Sequence, residues 1–359
     1  MKKSTFICMA TGLIGITSTT QAADYSKYFS MEAEGFKRFS VSVGALHVMP
    51  QGKAQPVRVN TAINEGYQSK VGNIQAQTVI DNLDPDRRPN RFVEGLVRLI
   101  GAFGGQVSSG LSGDSYVYGL SEWDNPGTGL EADDVTTLGI MTNYFFTDNV
   151  SFEMKAGIPP KVDIKGKGTI YAPFAAVATP LGGIAGNLNL ANDIRITDLA
   201  QSSKAAEARA WTPAFEFQYH FGKTGVNKFR PYVGVGLMYA YFNELEMDKG
   251  IEADLVAAGH MIQNIINQNA GASLEMKDSN GRMKVDLEAT DAFAPVVTAG
   301  FTYDFNEKWF AVGSVSYAHL QNESKITVIN ENTGQTLINS KADVEINPIL
   351  AYAGIGMRF

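Results

Sequence analysis

Cysteine is all but missing. The only one among 359 residues is Cys8, and it falls inside an N-terminal stretch that reads as a secretory signal. Lys2 and Lys3 give that stretch its positive start, an apolar segment runs from about Phe6 to Ile16, and Thr20-Gln21-Ala22-Ala23 supplies the small residues of a cleavage site. Cys8 lacks the context of a lipoprotein signal. With 1–22 removed, the exported chain 23–359 has no thiol, disulfide or cysteine metal site. Long apolar runs are missing too. The signal's own segment falls short of the roughly twenty residues a spanning helix needs, and nothing later supplies one. Basic excess is the third absence. Thirty Lys and Arg face thirty-seven Asp and Glu, a net charge of −7 spread along the chain, which disfavours nucleic acid as a partner. Histidine is scarce. His47, His220, His260 and His319 sit in no recognisable Ser/His/acid arrangement, no His/Glu spacing suggests a metal, and no Gly-rich loop suits phosphate. These absences argue against an enzyme, a metal centre and a cofactor.

What is present is alternation. The last strand places Ile349, Ala351, Ala353, Ile355, Met357 and Phe359 on one face, with Leu350, Tyr352, Gly354, Gly356 and Arg358 on the other. One face suits lipid and the other a barrel interior. The terminal phenylalanine resembles the sorting signal of bacterial outer-membrane proteins, which implies recognition of Phe359 by the barrel assembly machinery. Mean hydropathy is near neutral. A barrel shows lipid only alternate residues, so its average hides what its alternation displays.

Eight strands follow from the same pattern: 39–49, 134–146, 150–159, 208–221, 230–242, 293–305, 309–329 and 335–359. Short turns at 147–149, 222–228 and 306–308 alternate with long connections at about 50–133, 160–207 and 243–290. That asymmetry opposes periplasmic turns to extracellular loops, and the even count returns the C-terminus to the periplasm. The first connection is too long for a structureless loop. Phe92, Leu96, Leu99, Ile100 and Phe103 predict a helix over 91–103, and Ile251, Leu255, Ile262 and Ile266 predict one over 251–267. An Ala/Gly-rich apolar stretch occupies 171–190. A competing layout turns parts of these connections into extra strands.

Several segments resemble the OmpW/AlkL-type outer-membrane proteins. Asp134-Val-Thr-Thr-Leu-Gly139 with Thr147-Asp-Asn-Val150 is similar to that family's second hairpin region. Thr212-Pro213 with Gln218-Tyr219-His220-Phe221 resembles its fourth strand, and Arg230-Pro-Tyr-Val-Gly-Val-Gly236 its fifth. Asn347-Pro348, Gly354, Gly356 and Arg358-Phe359 resemble the closing strand. The three long insertions lie outside the resemblance. It implies an all-β, closed, antiparallel eight-stranded monomer in the outer membrane of a Gram-negative cell. It also implies entry of small hydrophobic molecules, released sideways into the membrane.

The two faces allow an independent reading of that mechanism. The lipid face carries Leu138, Ile140, Phe152, Met154, Phe215, Phe217, Val233, Val235, Phe301 and Val315, among others. Tyr144, Tyr219, Tyr303 and Trp309 form one aromatic girdle; Trp211, Tyr239, Tyr241 and Tyr317 form the other. Inside, Glu153, Lys155, Glu216, His220, Arg230, Asp304 and Arg358 gather toward the periplasm. A polar plug is expected there, with Arg230 or Arg358 paired to Glu153, Glu216 or Asp304. Toward the outside, Leu46, Val48, Met238, Phe242, Val296 and Leu320 predict an apolar cup for a greasy ligand. Pro159, at a strand end, and Pro213, within a strand, each remove a ladder donor and predict a lateral seam; Pro295 could mark another. Eight strands leave too little room for an aqueous porin. The rival reading is a structural or adhesion barrel acting through its long loops.

Overall fold

Strands whose side chains alternate between large apolar and small or polar must satisfy hydrocarbon on one face and their own core on the other. Closing the sheet on itself does both and leaves no unpaired edge in the bilayer. The computed structural model describes residues 37–87, 91–102, 104–184 and 186–359. The expected signal, 1–22, and Phe103 lie outside these.

Eight antiparallel strands close the barrel: β1 (Phe39–Met49), β2 (Val135–Phe145), β3 (Val150–Gly157), β4 (Ala214–His220), β5 (Phe229–Met247), β6 (Ala292–Asp304), β7 (Trp309–Ala318) and β8 (Ile349–Arg358). Each pairs with its sequence neighbour, and β8 returns to β1 with Ser40 opposite Arg358 and Met49 opposite Ile349. The outward face is the expected one. Phe217, Val235, Val315 and Ile355 are all more than half exposed, a pattern suited to lipid.

Above the barrel the chain departs from the strand plan. Four of the predicted strands run too far or in one piece. The third stops at Gly157 and resumes as Lys161–Lys167; the fourth divides into Ala206–Trp211 and Ala214–His220. The seventh divides at 319–320 into Trp309–Ala318 and Gln321–Asn330, and the eighth at 346–348 into Gln335–Glu345 and Ile349–Arg358. The physical reason is a shared level of interruption. Pro50, Pro159, Pro160, Pro213 and Pro348 all sit there, and proline lacks the donor a continuous ladder needs. Only β5 crosses that level unbroken.

The upper pieces build a folded cap, so the long connections are mostly sheet with few helices. Lys161–Lys167 and Ala206–Trp211 extend the wall beside upper β5, joined by Gly129–Ala132. A five-stranded sheet has the order Met283–Ala289, Gln321–Asn330, Gln335–Glu345, Val57–Thr61, Glu122–Asn125. A four-stranded sheet has the order Leu188–Asp198, Thr169–Thr179, Asp114–Tyr118, Tyr67–Lys70. The extra strands of the competing layout therefore form, but in the cap.

Both predicted helices are present. The first, α1, is Arg91–Ala102, and the second, α2, is Lys249–Ile266. Asp248 caps α2 by accepting from the backbone N–H of Gly250 and Ile251 at 2.9 and 3.1 Å. Beyond it Ile251, Leu255, Ala258, Met261, Ile262 and Ile265 are buried. α2 is the spine of the cap's own core, as its helical apolar spacing demands.

Candidate functional site

The lumen is layered. Uppermost is an apolar layer that joins all six predicted cup residues, Leu46, Val48, Met238, Phe242, Val296 and Leu320, in one cluster with Ala214, Ala294, Ala318, Val344, Ile346 and Leu350. The layer is packed where an open cup was expected. Ala240, Ala294, Ala318 and Leu320 are at most 2% exposed, because Val344, near the end of the strand Gln335–Glu345, and Ile346, in the break that follows it, fill the space. Met238, Ala240 and Phe242 alternate inward on β5, which orders the layer. Met238 borders the cavity below, Ala240 is sealed, and Phe242 borders a separate pocket of about 70 Å³ beneath the cap.

Below the layer lies a cavity of about 250 Å³. Its inner wall includes Leu46, Met141, Met238, Val296, Leu350 and Tyr352, and its floor includes Lys155 and Glu216. The same cavity is bounded by Gly157, Ile158, Pro159, Pro160, Trp211, Thr212 and Pro213. Ile158 and Trp211 are 58% and 45% exposed on the outer surface, so the cavity passes through the barrel wall.

The opening has a simple cause. The β3–β4 ladder ends with Lys155 opposite Ala214 and resumes only at Lys161 opposite Arg209. Of the residues between, Pro159, Pro160 and Pro213 have no N–H to give. Ile158 turns away and donates to the Leu138 carbonyl of β2 at 3.0 Å, and the Pro213 carbonyl accepts from Tyr239 of β5 at 2.9 Å. The upper margin of the gap is held by the Ala210 N–H on the Pro160 carbonyl at 3.0 Å and by Arg209 on the Pro159 carbonyl at 3.2 Å. Pro159 and Pro213 therefore flank one gap. Pro295 does not make a second, since β6 continues through it opposite Leu237.

The floor is charged and closed. The Lys155 ammonium lies 2.6 Å from Glu216 and 3.5 Å from Glu153, and also reaches Thr298 and Ser316. Asn143 and Gln218 donate to Glu153 at 2.6 and 2.7 Å. Beneath, Tyr232 packs on His220, and Ser151 Oγ lies 3.0 Å from His220 Nε2. Tyr232 fits because Gly300 faces it; a Cβ there would stand 2.6 Å from the ring. The lowest level is Arg358, 2.7 Å from Asp304 and stacked over Phe310.

Of the predicted plug, Arg358 and Asp304 pair as expected. Arg230 does not meet Glu153, Glu216 or Asp304. It reaches Thr224, the Asp148 carbonyl and, at 3.7 Å, the Asp148 carboxylate. Register explains the correction. Glu216 lies opposite Gly236, six residues above Arg230 on β5 and roughly 20 Å away along the strand. Lys155, known from the sequence only as a lumen residue, is the true partner of both glutamates. The Ser151–His220 contact had no sequence signal, since the residues lie on different strands. It is walled in by Phe145 and Tyr232, and His220 Nδ1 has no hydrogen-bond partner among the described residues.

A closed eight-stranded barrel with a lipid-facing apolar wall, a plugged lumen and a cap at one end defines an outer-membrane β-barrel protein. The OmpW family model matches residues 113–280. Outer membrane protein W of Vibrio cholerae serotype O1 is 30% identical over 224 residues, 62% of this chain and 74% of that protein. The chain belongs to the OmpW family. Among solved structures, OprG from Pseudomonas aeruginosa is similar with a TM-score of 0.47 and 16% identity, covering 91% of this chain and 99% of its own. AlkL in lipid bilayers is similar with a TM-score of 0.39 and 13% identity, covering 96% and 97%.

Proposed function

We propose that this barrel takes up small hydrophobic molecules and delivers them sideways into the outer membrane. The observation that carries the reading is the 250 Å³ cavity continuous from the lumen to the Pro159–Pro213 gap. Apolar surface entering it gains about 25 cal/mol per Å² removed from water. The Lys155–Glu153–Glu216 floor opposes passage downward, because a greasy solute would have to displace paired charges. The nearest favourable destination is the hydrocarbon outside Ile158 and Trp211. Entry from the cap side requires the packed layer around Leu320 and Phe242 to yield, so that layer is the gate. Export through the signal at 1–22 and recognition of Phe359 by the assembly machinery belong to the same proposal.

The test is uptake of a hydrocarbon such as toluene, against a hydrophilic solute of similar size, into vesicles holding the folded protein. Val296→Asp, which puts a charge on the cavity wall, and Pro213→Val, which restores a ladder donor, should each slow toluene uptake several-fold. Heat-shifted migration on gels checks that both still close the barrel. If both fold and take up toluene like the parent, lateral release at this seam is the wrong mechanism. The folded cap favours a second reading, adhesion through the loops, which cap-deleted protein with unchanged uptake but lost surface attachment would support.

A further inference from the structure

We infer that the cap holds a second binding site, for a small uncharged hydrocarbon, separate from the lumen and independent of whether the lumen conducts. A cavity of about 90 Å³ lies between the four-stranded sheet and the helices beside it, lined by Val71, Ile74, Val97, Phe174, Leu188 and Leu190. The two serines on its wall are already committed: Ser112 Oγ donates to the Gly72 carbonyl at 2.6 Å and Ser115 Oγ to the Ser69 carbonyl at 3.1 Å. An ordered water needs two to four polar partners, and among the described residues none is left free to hold one, so the site is dry and its ligand must be apolar.

The mouth is formed by Leu111 and Leu181, which are 46% and 41% exposed. Leu181 holds φ at +53°, a left-handed backbone conformation that leucine rarely takes, and is followed by Gly182 and Gly183, also at positive φ. Among the described residues, and apart from their own chain neighbours, no atom lies within 4 Å of where a Cβ on either glycine would stand, so this lip can move without disturbing the core. Movement is needed. Benzene occupies a buried cavity of about 150 Å³, so a single ring enters here only with the leucine lips displaced. Size, dryness and the absence of charge select a monocyclic or short-chain hydrocarbon over a lipid headgroup, a sugar or an ion.

The experiment uses the mature protein in lipid nanodiscs, with toluene as the probe and methyl NMR as the readout. Methyl signals of Ile74, Val97 and Leu190 should shift saturably as toluene is added. Ala176→Leu, which fills the cavity from its sheet wall, should weaken that response by at least about tenfold while the lumen methyls of Val296 and Leu350 respond as before. If Ala176→Leu loses methyl dispersion, Ala178→Leu on the same face replaces it. Cap methyls that shift only linearly, or a filled variant that keeps the saturable response, would overturn the site. Loss of the lumen response alone would instead count against the proposed uptake route.

Discussion

Lys155 is the residue on which the lumen floor depends. Glu153 and Glu216 lie directly opposite each other across β3 and β4, where like charges repel, and among the described residues Lys155 is the one cation that pairs with them. Lys155→Met should therefore destabilise the barrel by about 3–5 kcal/mol, the cost of leaving buried charge unpaired. Lys155→Met with Glu216→Gln should cost much less. Urea-driven unfolding from vesicles measures both, and a single variant as stable as the parent would refute the pairing. At this scale the sequence was partly legible. Arg358 on β8 and Asp304 on β6 both face inward at the periplasmic end, on either side of β7, so alternation and depth placed them among the possible pairs. The partner of Arg230 is Asp148, in a turn, where no alternation exists to assign a direction.

Among the elements, α2 and the wall extension carry separate predictions. Asp248→Ala removes the acceptor for two backbone N–H groups and should cost about 1 kcal/mol. Faster hydrogen exchange in the first turn of α2 would report it. In the wall extension, Lys161 at 2.5 Å and Lys204 at 2.6 Å hydrogen-bond Glu207, holding its carboxyl down at about 2 against an ordinary 4.5. A lowered folded pKa stabilises above the unfolded value and fades below it. The strand Ala206–Trp211 should therefore stay firm above about pH 4.5 and loosen as pH falls toward 2. Near-UV circular dichroism through that window should follow Trp211, and Glu207→Gln should flatten the change. The helices were legible because apolar spacing of three and four survives in any context. The strand breaks were not, because alternation continues from barrel to cap and says nothing about which sheet a strand joins.

At the scale of the molecule, barrel and cap have separate cores, an aliphatic and charged lumen below and the α2-centred cluster above. Shortening the three long connections to tight loops should leave a barrel that still closes and still shifts on gels with heat. It should remove the cap cavity and expose the layer around Leu320. Failure of such a chain to close would mean the cap stabilises the barrel rather than decorating it. The barrel was readable from turn lengths and alternation. The cap was not, because its strands are short and pair between connections distant in sequence.

The make-up of the five-stranded sheet sets an order of events during biogenesis. Its members come from the first connection, from the segment before β6 and from the hairpin between β7 and β8, so Val57–Thr61 waits for Gln335–Glu345. Nearly the whole chain must be delivered before α2 has its complete surroundings, and such distant pairings form slowly. Until then the apolar face of α2 is without part of its cover, on the side of the membrane the protein reaches last. A protease-resistant cap is therefore a late checkpoint, a sign visible from outside that the final hairpin is in place.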